Sequence, residues 1–215
     1  MEIRRTANAG VLLKLDGHSI LLDGVCREVK PYLATPEEER KRLCDCWPDV
    51  LAFSHTHDDH YDPVFAACFQ KQTNGVILCP ERIEGCQVSD QAIQFGNVRI
   101  TPVKSRHIGK AGLTVRHSSF IIEGTACIWF LADASPLQWK QATQLPHPDV
   151  LIVPYAYATT VASWESTKQL GAKQILLMHL PRRENDPVGL WAAVESTTKQ
   201  DPVLLIPELG QSVFL

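Results

Sequence analysis

Neither sign of charge dominates this sequence: across 215 residues, 21 Lys and Arg oppose 24 Asp and Glu, a formal net charge of −3. Binding to nucleic acid normally needs a basic patch or stripe. The lysines here are scattered, so no nucleic-acid partner is expected. No apolar run is long enough to cross a bilayer, and none follows Arg4-Arg5. Neither a membrane partner nor a signal peptide is therefore expected. Ser/Gly-rich linkers, low-complexity tracts and short repeats are missing too. That argues against a string of modules and for one globular domain over residues 1–215. A regular cysteine framework is also lacking: the seven cysteines are odd in number, which points to a reducing, cytoplasmic setting. Cys44-Asp45-Cys46 has no second pair nearby with which to close a metal clip. Arg40-Lys41-Arg42 follows Glu37-Glu38-Glu39, as in an ordinary solvated helix face.

What is present is a regular alternation of apolar runs and turn signals. Strands are expected near residues 2–6, 10–15 and 18–24, then a helix from Pro36 to Arg42 in which Thr35 caps and Glu38 completes a capping box. A helix from Pro63 to Gln72 precedes strands near 75–79, 85–88, 92–95 and 97–103, with a hairpin across Gln94 to Ile100. Strands near 117–123 and 126–131, a helix at 136–143 and a strand at 149–153 follow. A helix from Ser163 to Leu170, ended by Gly171, leads to strand 174–178, helix 187–197 and strands near 202–206 and 212–215. Strands first in hairpins and later alternating with helices suggest two mixed sheets packed together, with helices outside.

The densest chemical signal is Ser54-His55-Thr56-His57-Asp58-Asp59-His60. It begins where the apolar run Val50 to Phe53 stops. Desolvating so many imidazoles and carboxylates at a strand end is expensive unless a cation compensates them. A loop leaving a buried strand can turn His55 and His57 toward one point and Asp59 and His60 toward another. A His/Asp set without cysteine suits a catalytic metal better than a closed structural one.

The run His55-x-His57-x-Asp59-His60 after a hydrophobic strand resembles the signature of the metallo-β-lactamase superfamily. The resemblance extends over nearly the whole chain. Asn8-Ala9-Gly10-Val11-Leu12-Leu13 and Ser19-Ile20-Leu21-Leu22-Asp23-Gly24 are similar to the family's opening hairpin and its first-motif aspartate. His107, Asp133 and His179 stand where the later motifs fall, with Ala132 and Ala134 in place of the usual glycine and threonine. The resemblance implies an αββα sandwich. It further implies that His55, His57 and His107 hold one divalent metal, that Asp59, His60 and His179 hold a second, that Asp133 bridges them and that Asp23 supports a ligand from behind. The compact length and the Asn-Ala-Gly start look most like the small lactonase-like hydrolases. His117 competes with His107 for the third-motif role and otherwise lines the cleft. Asp133 also reads as a helix N-cap ahead of Ser135-Pro136.

Two divalent ions, Zn2+ first and Mn2+ or Fe as alternatives, can share a hydroxide, lower the pKa of its parent water and polarise the bond under attack. Asp59 would orient that nucleophile. The expected activity is hydrolysis of a small ester, lactone, amide or phosphoester. His117, Tyr155 and Tyr157 are candidates for binding the substrate, and Lys104, Arg106, Arg182 and Arg183 are available to an anionic one. A phosphodiesterase or nuclease, a di-iron oxidoreductase and a non-catalytic metal sensor are the competing classes.

Overall fold

The computed structural model of the chain describes residues 1–109, 114–141 and 144–215. β1 (Glu2–Arg5), β2 (Val11–Leu15) and β3 (His18–Leu22) form an antiparallel meander, to which β4 (Val50–Ala52), β5 (Val76–Leu78) and β6 (Val88–Ser89) add in parallel. The second sheet repeats that plan. β7 (Ile93–Phe95), β8 (Val98–Ser105), β9 (His117–Glu123) and β10 (Cys127–Phe130) are antiparallel, and β11 (Val150–Pro154), β12 (Gln174–Met178) and β13 (Leu204–Leu205) add in parallel. β14 (Ser212–Phe214) returns to pair with β1, giving orders β14-β1-β2-β3-β4-β5-β6 and β13-β12-β11-β10-β9-β8-β7.

Local chemistry explains the switch within each sheet. Antiparallel neighbours need only tight turns: Asp16-Gly17, at φ 52° and 82°, closes the β2–β3 hairpin with Leu15 opposite His18. Parallel neighbours need crossovers. The helices α1 (Glu37–Asp45), α2 (Pro63–Thr73), α3 (Val161–Lys168) and α4 (Leu190–Thr198) all fall between parallel strands. Side chains alternate faces along each strand. Ile20 and Leu22 of β3 face the second sheet, where Phe120, Ile122 and Ile152 meet them, while Leu21 faces outward with Leu51 under Phe65 and Phe69 of α2. On the far side, Leu151 and Val153 pack under Trp164 of α3 and Val194 of α4. Strands buried on both faces read as continuous apolar runs. The result is the expected αββα sandwich of two mixed sheets. No helix among the described residues is long and apolar enough to cross a membrane.

Several local expectations are corrected. The N-cap of α1 is Pro36, without a side-chain bond, so the capping box led by Thr35 does not form. The Thr35 hydroxyl is buried and instead accepts from Cys26 N at 2.9 Å. The helix expected at 136–143 is a 3-10 helix over Pro136–Gln141, and residues 142–143 lie outside the described residues. The strand at 85–88 contracts to Val88–Ser89, because Gly85 turns the chain at φ 73°. The helix at 187–197 starts only at Leu190, where the Asp186 carboxylate accepts from Leu190 N and Trp191 N at 3.0 and 2.8 Å.

The α2 cap holds the loop that follows His60. Asp62 accepts from Val64 N at 2.8 Å and Phe65 N at 3.1 Å and receives Arg40 Nη1 at 2.8 Å. Burial works to raise the Asp62 pKa, but Arg40 and the two amides outweigh it and hold it below the ordinary 3.8. Its contribution is therefore complete at neutral pH and is lost only as pH falls through the lowered folded value. Asp62→Ala is expected to cost about 2 kcal/mol, read in thermal melts as a loss of about 4–8 °C. An unchanged midpoint would contradict this role.

Candidate metal centre

The chemistry-bearing residues gather at the strand ends where each sheet changes from antiparallel to parallel. Asp23 follows β3, the run from His55 to His60 follows β4, Asp133 follows β10 and His179 follows β12. His107, just after β8, is carried across to this edge by a bridge to Ala134 and by Ile108 N donating to Asp133 O at 2.8 Å. Three of these strand ends turn through left-handed backbone at non-glycine residues: Asp23 at φ 46°, Ala132 at 45° and His179 at 62°. Such strain, of order 1–3 kcal/mol per residue, persists where the surroundings over-determine it, often at functional sites. Gly10 is required for the same turn, since a Cβ there would lie 1.9 Å from Asp23 O.

The structure brings all seven expected donors together. The ligand atoms of His55, His57 and His107 lie within 4.8 Å of one another, as do those of Asp59, His60 and His179. In the second group, His179 Nε2 is 3.0 Å from His60 Nε2 and 3.2 Å from Asp59 Oδ2. Two donors on one cation at ~2.0 Å in tetrahedral geometry stand about 3.3 Å apart. Asp133 Oδ2 lies between the groups, 3.4 Å from His60 Nε2, 3.5 Å from His107 Nε2 and 3.7 Å from His179 Nε2. A further triple, Asp23, His55 and His60, shares two histidines with these groups. Its carboxylate is committed elsewhere, accepting from Ser54 N at 2.7 Å, from Ser54 Oγ at 2.5 Å and from His60 Nδ1 at 2.8 Å.

These contacts also fix ring tautomers. His60 Nδ1–H donates to Asp23, and His107 Nδ1–H to Ile108 O at 2.8 Å. His55 Nδ1 meets Ser54 Oγ at 2.9 Å, whose own proton goes to Asp23, so His55 is the donor there. Each ring thus turns its Nε2 lone pair to the centre, the arrangement a metal-ligating histidine requires. His55 Nε2, His107 Nε2 and Asp133 Oδ1 are buried with no hydrogen-bond partner. Atoms left so would each cost about 1–3 kcal/mol; a shared cation accounts for them together. The donor set therefore fits divalent metal.

Electrostatics distinguish the two groups. Burial holds His55 well below the ordinary imidazole pKa, and burial together with His107 lowers His57. His60 is raised well above it, because the carboxylates of Asp133 and Asp23 outweigh a burial penalty in the opposite direction. Burial likewise opposes ionisation of Asp133 and Asp59, yet the facing histidines hold both below the ordinary carboxylate value.

Around this centre the remaining candidates divide. His117 is buried beside it, its ring 5.1 Å from His55 and 5.6 Å from His107, but it joins none of the donor groups found among the described residues. Burial pushes its pKa down to about 3. Tyr155 borders the centre, its ring 5.9 Å from that of His179. Tyr157 does not. It is buried in the outer core, accepting from Trp139 Nε1 at 2.7 Å and donating to Ala134 O at 2.8 Å. The short 3-10 turn Tyr155–Tyr157 rotates the two rings to different sides, and the alternation expected of a strand end fails. Asp133 is no helix cap; its side chain lies in the centre. Arg182 and Arg183 instead line a neighbouring cavity of about 410 Å³. Sequence reasoning missed Tyr32, whose ring stands edge-on to His179 at 4.5 Å and whose hydroxyl pairs with that of Tyr155. It missed Asn8, against His179, as well. Tyr32 carries no local signal, and the Asn8-Ala9-Gly10 run that marks the opening hairpin does not point Asn8 at His179; the fold brings each in.

A family profile described as a Beta-lactamase superfamily domain matches residues 2–179. No curated protein matches the sequence. Among solved structures, a possible metal-dependent hydrolase from Veillonella parvula is similar over 100% of this chain and 99% of its own, with TM-score 0.76 at 14% identity. The isothiocyanate hydrolase from Delia radicum gut bacteria is similar over 100% and 99%, with TM-score 0.74 at 15% identity. Igni18, a metallo hydrolase from the archaeon Ignicoccus hospitalis, is similar over 99% and 97%, with TM-score 0.70 at 16% identity. With its two seven-stranded sheets, its strand-end cluster of histidines and aspartates and its match over residues 2–179, the chain belongs to the beta-lactamase superfamily and has the metallo-β-lactamase fold.

Proposed function

We propose that residues 1–215 act as one domain, a dinuclear metal-dependent hydrolase of a small substrate. The observation that carries this reading is the position of Asp133: one carboxylate oxygen lies within 3.7 Å of imidazoles from both donor groups. His55, His57 and His107 hold one cation and Asp59, His60 and His179 the other. The imidazole-rich set suits Zn2+, with Mn2+ or Fe as alternatives. When bound, such a pair supplies Lewis acidity and brings the pKa of a water toward neutrality.

The chain's own part is binding and orientation. Asp59 is only partly buried and directs the attacking water. The hydroxyls of Tyr32 and Tyr155, whose pKa values burial raises, stay protonated; with Tyr32 donating to Tyr155, the Tyr155 hydroxyl can donate to a substrate oxygen. On the opposite wall, Ser119 Oγ donates to Leu131 O at 2.9 Å, Ser105 Oγ lies 3.1 Å from Ser119 Oγ, and His117 Nδ1 lies 2.6 Å from Ser105 Oγ. One direction satisfies all three contacts: His117 donates to Ser105, which donates to Ser119. His117 Nε2 is then a bare acceptor for a substrate O–H or N–H. The adjoining cavity is sized for a small molecule. Its lining carries Arg5, Arg182 and Arg183, of which Arg182 pairs with Glu184 and Arg183 with Glu195, so charge does not choose among an ester, lactone, amide or phosphoester. The cysteines among the described residues are all free, with Cys44, Cys46 and Cys68 exposed, which supports a reducing cytoplasmic setting.

Elemental mass spectrometry after dialysis over a range of pH tests this reading. About two ions per chain are expected at neutral pH. Protons compete with metal at imidazole, and the raised His60 pKa lets them win at a higher pH than at the lowered His55 and His57. The ion held with His60 should leave first as pH falls. One ion or fewer at neutral pH would overturn the two-metal reading, and loss of both in a single step would overturn the assignment of donors to separate groups.

A further inference from the structure

His179 differs from the other buried histidines of the centre in what backs it. Its Nδ1 faces the side-chain amide of Asn8, with Asn8 Nδ2 at 3.3 Å. An amide nitrogen is only a donor, so in this orientation Nδ1 must accept and Nε2 must carry the ring proton. That suits the contacts Nε2 makes, with His60 Nε2 at 3.0 Å and Asp59 Oδ2 at 3.2 Å. It does not suit a cation, which needs the Nε2 lone pair and therefore a proton on Nδ1 with an acceptor beside it. The amide can provide one. A 180° turn about its last torsion replaces Nδ2 with Oδ1 at almost no steric cost.

We propose that Asn8 is the positioning residue for the second cation, its amide oxygen turned to His179 Nδ1 to accept the ring proton and so free the Nε2 lone pair for the metal. In that arrangement the ring proton sits on Nδ1 rather than Nε2, and the charge of the imidazole is unchanged. The backbone is already held for this. Asn8 O accepts from His179 N at 3.1 Å and from Arg5 Nη2 at 3.3 Å, so the amide can turn while its Cα stays fixed. Asn8 is itself buried. The remaining Arg5 contacts are to carbonyls, Ala7 O at 3.3 Å and Pro207 O at 3.0 Å, and no carboxylate pairs with it among the described residues. A negative charge introduced at position 8 would therefore meet a cationic neighbour.

The inference rests on the two-cation reading, and its test separates the two. Zinc affinity of each equivalent is measured by chelator competition for the wild-type chain, Asn8→Leu and Asn8→Asp, with thermal melts as a check on folding. Asn8→Leu, near in size but unable to accept, is expected to weaken the second equivalent about 10- to 100-fold and to spare the first. Asn8→Asp accepts only and is expected to match or exceed wild type. A purely structural role would make both variants weaker. That outcome, or a leucine variant indistinguishable from wild type, overturns the inference alone. A wild-type chain that takes up only one equivalent overturns the two-cation reading and this inference with it.

Discussion

Asp133→Asn is expected to strip the centre of both cations and to lower turnover at least about a thousandfold, equal to ~4 kcal/mol of transition-state stabilisation. The change preserves shape and removes charge. Asp133 Oδ2 faces His107 of one donor group and His60 and His179 of the other, so both groups lose the carboxylate they share: the first is left with imidazoles alone and the second with Asp59 as its one carboxylate. A variant confined to one group, such as His57→Ala, should lose one ion and retain the other. Metal content and thermal melts of the two variants side by side make the comparison. If Asp133→Asn keeps one ion at full affinity, the carboxylate serves a single metal and the bridging assignment fails. The local fold should survive either change, because the loop is tied through its backbone by Ile108 N to Asp133 O and Ser135 N to Arg106 O.

Asp23→Ala should instead be felt first as instability. Asp23 is fully buried and accepts three bonds, from Ser54 N, Ser54 Oγ and His60 Nδ1. Removing the carboxylate orphans all three donors, at a cost of about 3–5 kcal/mol and a drop of roughly 6–20 °C in melting temperature. His60 also loses the group that fixes its tautomer, so its cation should be bound more weakly. Asp23→Asn keeps an acceptor for part of the set and should fall between. A melting temperature within a degree or two of wild type would show that water readily takes over from the carboxylate.

The parts of this architecture that were legible in the sequence are those with local causes. Alternating or continuous apolar runs mark β3, β4, β11 and β12, and the Asp16-Gly17 turn marks a hairpin. The His55 to His60 run announces a metal because no other chemistry makes that density of buried imidazole affordable. The illegible parts are set at a distance. β14 pairs with β1 through residues some two hundred positions apart, Glu2 opposite Phe214, and no local pattern encodes that choice. Thr35 has the local signature of a cap, yet its hydroxyl is taken by Cys26. Tyr157 looks like a rim residue until the 3-10 turn buries it. Asn8 and Tyr32 are recognisable only once His179 lies against them.

The repeated strand plan of the two sheets bears on when the chain becomes competent. Each donor group mixes the two halves: His55 and His57 come from the first sheet and His107 from the second, as do Asp59 and His60 against His179. A chain whose first sheet alone has formed holds neither of these two groups complete, so competence to bind the pair of cations would require the second sheet to be docked on the first.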